Sequence, residues 1–284
     1  MLKKLQVLFV AGALLCVSQA QAGNWLRNEH ERLYTAEVKF SAYNDHWDQY
    51  GTLIPNGQGH VNRQDSYQSF EYGYSYYYTL VGGVGIHNIE IAGASVASGL
   101  GDIDLGVRGR IHHDQNGKAW ELKLLVPGGY DNSAPQRLGY GRFGAEAGVY
   151  FGEQFDPYDI DPYRPGYQAP PDSSWEYGGR IQAWMGAPAP EVMGYIKWNH
   201  SLPRDWSMSA ILENTSSLGQ GTTEYDNLGA PRQPFYDVLL TKVEFKHPIG
   251  DGWSFHITPL VNLAGSNIGK ATGVTFGLNR LWMK

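Results

Sequence analysis

The chain has 284 residues, a formal net charge of −6 and one cysteine, Cys16, which excludes a disulfide framework. An acidic chain without a basic stripe is not expected to bind nucleic acid, because phosphate neutralisation requires clustered lysine and arginine. Its 36 glycines, 13% aromatic and 18% charged residues favour β structure, and the absence of any apolar run of 18 residues excludes a helical membrane protein.

Residues 1–22 have the pattern of a cleaved secretory signal peptide. Two lysines precede an apolar run from Leu5 to Val17, which is too short to span a bilayer, and small residues follow at the cleavage point, Ala22. The alternative is lipid attachment at Cys16, although Leu15 occupies a position where lipoprotein signals have a small residue. We therefore predict export, with residues 23–284 forming one mature domain.

Twelve segments of about ten residues alternate between apolar and polar side chains. Their approximate bounds are 33–42, 67–79, 84–92, 102–112, 119–127, 140–151, 174–185, 191–200, 206–215, 236–247, 253–262 and 271–283. The period of two is clear in most of them and ambiguous in 84–92. Together with export and composition, it predicts an all-β fold, a transmembrane antiparallel up-and-down β-barrel of about 12 strands, formed by residues 23–284 in the outer membrane of a Gram-negative bacterium. The alternative is a soluble periplasmic β-sandwich.

Residues 102–111 show most clearly what the alternation implies for the barrel interior. Ile103, Leu105 and Val107 share one parity, and four charged residues share the other. If the apolar parity faces lipid, the charged parity lines an enclosed lumen. Applied to every segment, this reasoning predicts a lumen lined by Asp102, Asp104, Arg108, Arg110, Glu121, Lys123, Glu146, Glu176, Arg180, Lys197, Glu213, Lys242, Glu244 and Lys246.

Charges of both signs occur in this predicted lining. Unpaired charges in a narrow lumen are costly to desolvate, so we expect many of them to pair across neighbouring strands or to stay hydrated. We also expect Arg108 and Arg110 to form part of a constriction with weak ion selectivity.

The connections between segments predict the orientation of the barrel, because outer-membrane barrels have short periplasmic turns and longer outer loops. The predicted turns are 80–83, 113–118, 202–205 and 248–252, and the predicted outer loops are 43–66, 128–139 and 216–235. Residues 152–173 do not fit, because they form a long connection where parity demands a short turn. Either this turn is unusually long, or the strand count is wrong by a pair at this point. Six tryptophans near segment ends are expected to form aromatic girdles at the two membrane interfaces: Trp120, Trp175, Trp198, Trp206, Trp253 and Trp282.

Three stretches, GLGDIDLGVRGRI, WELKLLVPGGYD and LGYGRFGAEAGVYFG, resemble the family of outer-membrane barrels named after the meta-pathway of phenol degradation. The resemblance covers roughly residues 24–284 and is most specific at Gly99–Asp102 and at Pro127-Gly128. It implies a transporter-like barrel, and some relatives are linked to biofilm or surface-polymer systems. The chain lacks the terminal phenylalanine common in such barrels, which leaves Phe276 and Trp282 for the barrel-assembly machinery to recognise.

The sequence does not predict an enzyme. His200 and Ser201 point to opposite faces of a strand, and the acidic stretch 155–163 lacks the spacing of a calcium loop, so no catalytic, cofactor or metal residue is assigned. We predict an outer-membrane channel or facilitator for passive uptake of a small solute, with apolar or aromatic solutes as candidates. The alternative is an accessory outer-membrane barrel of a surface-polymer, biofilm or adhesin export system. The expected partners are outer-membrane lipid, the assembly machinery and a small-molecule solute, without nucleic acid.

Overall fold

The computed structural model describes residues 26–48, 50–55, 60–91, 97–111, 116–128, 142–153, 173–185, 189–218, 224–225, 231–232 and 236–283. The predicted signal peptide and the acidic stretch 155–163 lie outside these residues. Within the described ranges, no helix is long and apolar enough to cross a membrane.

Twelve long antiparallel strands close into one barrel. They are β1 (Arg32–Tyr43), β2 (Val61–Ser75), β3 (Tyr78–Ile91), β4 (Ala97–Arg110), β5 (Asn116–Val126), β6 (Gly144–Glu153), β7 (Ser173–Trp184), β8 (Glu191–Ser201), β9 (Ser207–Ser217), β10 (Asp237–Gly250), β11 (Trp253–Ser266) and β12 (Thr272–Trp282). Each strand pairs with its neighbours in sequence, and β1 pairs with β12 from Arg32 opposite Trp282 to Ala42 opposite Thr272. The predicted all-β barrel of twelve antiparallel strands is confirmed.

Side chains alternate between a buried inner face and an exposed outer face. In β8, Met193 and Lys197 are buried, whereas Val192 and Ile196 are exposed. The outer face carries many large apolar side chains, including Leu105, which is 55% exposed. A continuous apolar surface of this kind is typical of proteins that contact lipid.

The two ends of the barrel differ in their connections. One end, which we call the turn end, contains Arg32, where β1 begins, and Trp282, where β12 ends. The two-residue turns Tyr76-Tyr77 and Asp251-Gly252 lie at the same end. At the opposite end, the loop end, residues 44–60 and 218–236 connect strands. The connection of residues 154–172 joins β6 to β7 at the turn end. The parity argument therefore assigned this connection to the correct end of the barrel, and the connection is an unusually long one for that end.

Two predicted connections were wrong. Residues 80–83 lie inside β3, and the turn occurs at Tyr76-Tyr77, which the prediction placed in the second segment. Glycine is typical of turns, but Gly83 lies in a strand, where the absence of a side chain leaves room for the ring of Tyr67. The Tyr67 hydroxyl donates a hydrogen bond to Asp104 over 2.6 Å. The predicted loop 43–66 is also too long, because β2 begins at Val61.

The aromatic prediction needs a correction as well. All six tryptophans lie at or near the turn end, because each is close to a strand limit or turn there. Trp175 and Trp198 are neighbours at 6.5 Å, as are Phe70 and Trp282 at 6.4 Å. These residues therefore form a girdle at one end of the barrel rather than at both.

The stretch that carried the family resemblance forms a bulge in β4. Val84 lies opposite Ile103, but Ile86 lies opposite Leu100, so β4 contains one extra residue at this point. A side chain at Gly101 would collide with the ring of His87. Burial resolves the ambiguous segment 84–92, in which His87 is buried and Ile86 is exposed.

The outward orientation of Leu105 predicts how a charge there affects membrane insertion. Leu105→Arg should destabilise the inserted barrel by about 2–4 kcal/mol, because the guanidinium would face hydrocarbon. Tyr78→Arg, on the same face but at the turn end, is the control and should cost about 0–1 kcal/mol. Urea unfolding in lipid vesicles measures both. Equal stabilities of the two variants would contradict the assigned position of Leu105.

Candidate functional site: the barrel interior

The structure places every charged residue of the predicted lining on the inner face. Several are buried: Arg108, Glu121, Glu146, Glu176, Arg180, Lys197 and Glu213. The others are partly buried: Asp102, Asp104, Arg110, Lys123, Lys242, Glu244 and Lys246. Their role in a conducting path stays a prediction.

Arg108 joins two carboxylates on different strands. Its Nη1 lies 3.2 Å from Glu71 Oε1 on β2, and its Nη2 lies 2.7 Å from Glu121 Oε2 on β5. Its Nε donates a further hydrogen bond to Glu121 Oε2 over 2.8 Å. The guanidinium therefore uses several donors to bridge β2, β4 and β5, as the planar donor geometry of arginine permits.

Lys123 extends the same network around the wall. Its Nζ lies 3.2 Å from Glu121 Oε1, 3.4 Å from Glu146 Oε1 and 3.5 Å from Asp104 Oδ1. Glu146 on β6 in turn binds Arg180 on β7 over 3.0 Å. The charges thus form a continuous alternating network from β2 to β7, in which each carboxylate is close to at least one cation.

Further inner pairs were missed by the sequence analysis. His256 Nε2 lies 2.9 Å from Glu37 Oε1, and Asp65 lies 2.5 Å from Arg63 Nε and 2.7 Å from His87 Nδ1. The parity of the first segment could have identified Glu37. Arg63 and Asp65 were missed because they fell in a predicted loop.

Arg110 does not share the partners of Arg108. Its guanidinium carbon lies 4.2 Å from the ring centroid of Tyr76, at the turn end. Its backbone N–H donates to the carbonyl of Tyr77 over 3.1 Å. The structure therefore separates the two arginines, and only Arg108 belongs to the network of carboxylates described above.

Residues 26–31, which we call the N-terminal segment, cross the turn end of the interior. Leu26 packs in a buried cluster whose other members come from β5, β6 and β8: Ala119, Tyr150 and Tyr195. On the opposite side, Arg27 Nε donates to Glu71 Oε2 over 2.7 Å, and its backbone N–H donates to Thr79 Oγ1 over 2.8 Å. The segment thus connects opposite walls and narrows this mouth.

The inner faces of β8 to β11 carry buried apolar side chains among their charged ones. The buried apolar side chains include Met193, Ile211, Val238 and Leu260. At the loop end, Val238 packs with Trp47, Tyr236 and Ile268. Trp47 belongs to a three-stranded sheet formed by Ile268–Gly269, Asp45–Trp47 and Leu53–Pro55. The interior therefore combines charged and apolar side chains on these strands.

Solved structures share this architecture. The COG4313 outer membrane channel from Pseudomonas putida F1 matches over 92% of this chain and 98% of its own, with a TM-score of 0.73 and 11% sequence identity. The chain has the fold of an outer-membrane β-barrel. The NanC porin matches over 88% of this chain and 99% of its own, with a TM-score of 0.50 and 8% identity.

No family model and no curated protein sequence matches the chain. The resemblance to the barrels named after phenol degradation therefore stays a prediction. The structural likeness, at these identities, concerns the fold.

The position of Arg108 predicts a large effect on stability. Arg108→Met should destabilise the barrel by about 3 kcal/mol, because two buried carboxylates lose a cation. Adding Glu121→Gln should recover part of this loss, since one of those charges is then removed. Urea unfolding of the single variants and the double variant measures the coupling.

Arg280→Met is the matched control for this prediction. Arg280 is exposed and lies over the rings of Trp253 and Trp282 at 5.2 and 5.5 Å. Its loss should cost about 0.5–1 kcal/mol. If the Arg108→Met variant unfolded at the same urea midpoint as the wild type, the network would not stabilise the fold.

Proposed function

We propose that the protein is an outer-membrane channel or facilitator for passive uptake of a small apolar or aromatic solute. The observation that carries this proposal is a closed barrel with an apolar outer surface whose interior combines a self-paired charge network with buried apolar side chains.

Location in the outer membrane is supported by the outer surface. Closure pairs the strand edges, and exposed side chains such as Leu122 and Leu124 form a surface suited to hydrocarbon rather than water. The fold shared with the COG4313 outer membrane channel supports the same location. Under this proposal, the protein contacts outer-membrane lipid and is inserted by the barrel-assembly machinery.

The character of the solute is inferred from the interior. Charges that neutralise one another, as Arg108 and Glu121 do, leave a weak field for selecting ions. The N-terminal segment narrows the turn end, which disfavours a wide aqueous pore. Inner apolar side chains outside the loop-end cluster, such as Ile211 and Leu260, supply a surface for contact with an apolar or aromatic molecule.

Solute uptake by cells tests the proposal. Cells that express the protein should take up radiolabelled naphthalene several-fold faster than cells that lack it, because the barrel bypasses the polar outer leaflet. Arabinose uptake should not change. The variant Ile211→Thr with Leu260→Asn makes two inner apolar side chains polar without adding charge and should lose most of the naphthalene effect.

Equal naphthalene uptake with and without the protein would overturn the proposal. If cells without the protein also lost a surface polymer or an adhesin, the alternative function, an accessory barrel of an export system, would replace the uptake proposal.

A further inference from the structure

Arg32 and Arg280 form a pair of cations where β1 meets β12, at the turn end of the barrel. Arg32 lies directly opposite Trp282 in the register of the two strands, and Arg280 lies opposite Tyr34. The two arginines are therefore diagonal neighbours on one face of the sheet. Diagonal neighbours in an antiparallel pair are roughly 7–8 Å apart, which is within reach of long side chains.

The alternation of β1 and β12 directs both arginines outward. Leu33 and Asn279, their neighbours in sequence, are buried on the inner face. Arg280 is exposed and Arg32 is partly exposed, so both guanidinium groups are accessible from the surface that faces lipid. Arginine on this surface is costly at the bilayer midplane and nearly free of cost at the interface, where water or an anion solvates it.

Aromatic rings surround the pair and indicate its depth in the membrane. The guanidinium carbon of Arg280 lies 5.2 Å from the ring centroid of Trp253 and 5.5 Å from that of Trp282. The guanidinium carbon of Arg32 lies 5.7 Å from the ring centroid of Tyr72. Tryptophan and tyrosine concentrate at the level of the lipid headgroups. The two cations therefore lie at the depth of the lipid phosphates.

No carboxylate neutralises either arginine in the part of the chain that the structure describes. The acidic side chains of the N-terminal segment pair within that segment: Glu29 with His30 at 3.7 Å and Glu31 with Arg27 at 3.6 Å. Asp251, in the turn before β11, forms no ion pair with Arg280. A ring contact occupies one face of a guanidinium and leaves the N–H donors in its plane for an anion. The pair thus presents two positive charges and their donors to the headgroup region.

We propose that Arg32 and Arg280 bind the phosphate of an anionic phospholipid, whose headgroup bridges the first and last strands of the barrel. Each guanidinium donates N–H groups to phosphate oxygens in the bidentate geometry that arginine forms with phosphate. The acyl chains of the same lipid lie along outward apolar side chains further from the turn end, such as Phe276 and Leu278. Because the two cations have no carboxylate partner, a lipid with net negative charge binds more tightly than a zwitterionic one.

The predicted orientation of the barrel selects phospholipid as the source of this phosphate. The short turns are predicted to lie on the periplasmic side, and phospholipid forms the periplasmic leaflet of the outer membrane. Lipid A, in the opposite leaflet, also carries phosphate and is therefore the comparison that tests this choice. The site lies on the outer face, so it goes beyond the proposed function and does not depend on which solute the barrel admits.

Native mass spectrometry of the purified, folded barrel in detergent tests the site, with dioleoyl phosphatidylglycerol as the probe. The wild type should retain phosphatidylglycerol at concentrations where phosphatidylcholine with the same chains is not retained. Arg32→Gln with Arg280→Gln should weaken phosphatidylglycerol binding by about tenfold or more, since charge-assisted hydrogen bonds are lost. Each single glutamine variant should also weaken it, because a bridging phosphate needs both strands. Circular dichroism should show that the variants remain folded barrels.

Arg204→Gln is the matched control for the charge that these variants remove. Arg204 is exposed in the turn between β8 and β9, at the same end of the barrel, and no ring contact to it is formed among the described residues. Its replacement should leave phosphatidylglycerol binding unchanged. Lipid A should compete poorly with phosphatidylglycerol for the wild type.

Equal retention of phosphatidylglycerol and phosphatidylcholine by the wild type would overturn the site, as would unchanged phosphatidylglycerol binding in the double glutamine variant or in either single variant. An equal loss in Arg204→Gln would overturn it too, because net charge rather than the paired arginines would then decide binding. Preferential retention of lipid A would contradict the assignment to phospholipid. None of these results depends on naphthalene uptake, so the failure of this site and the failure of the proposed function are distinguishable.

Discussion

Closure of the sheet between β1 and β12 is the constraint on which the rest of the structure depends. An open strand edge would leave a row of N–H and C=O groups without partners, and hydrocarbon cannot supply them. Pairing from Arg32–Trp282 to Ala42–Thr272 removes that edge. Once the sheet is closed, the period of two sends every second side chain to the inside, so the polar half of the strand residues shares one enclosed space.

That enclosed space explains the pattern of interior ion pairs. Arg108 and Lys123 each contact carboxylates from more than one strand, and Arg27 adds a contact from the N-terminal segment to Glu71. Buried ion pairs contribute little net stability compared with apolar packing, but removing one partner is strongly destabilising. We infer that the network helps to fix strand register and to hold the N-terminal segment in the turn-end mouth.

The sequence was sufficient for the parts of the fold that depend on local alternation. The period of two predicted twelve strands, and it placed residues such as Asp104, Glu121 and Arg180 on the inner face where the structure has them. It failed at the turn between β2 and β3. Tyrosine is not a typical turn residue, whereas the glycines that lie inside β3 are typical of turns and were mistaken for one.

Contacts between distant residues could not be predicted in the same way. Leu26 precedes the first alternating segment, and its neighbours Tyr150 and Tyr195 are remote in the sequence. The hydrogen bond from Asn199 to Glu176 is equally invisible, because the residue opposite Glu176 in register is Lys197. Side-chain geometry across several strands, rather than parity, decides these contacts.

The central claim is that a closed barrel spans the membrane with the N-terminal segment across its turn-end mouth. Single-channel recording in planar bilayers tests this most directly, by comparing the wild type with the variant Leu26→Gly, Arg27→Ser, which loses the contacts to Tyr195 and Glu71. The account predicts a small conductance for the wild type and a several-fold larger one for the variant. Equal conductances would contradict it, because the segment would then lie outside the conducting path.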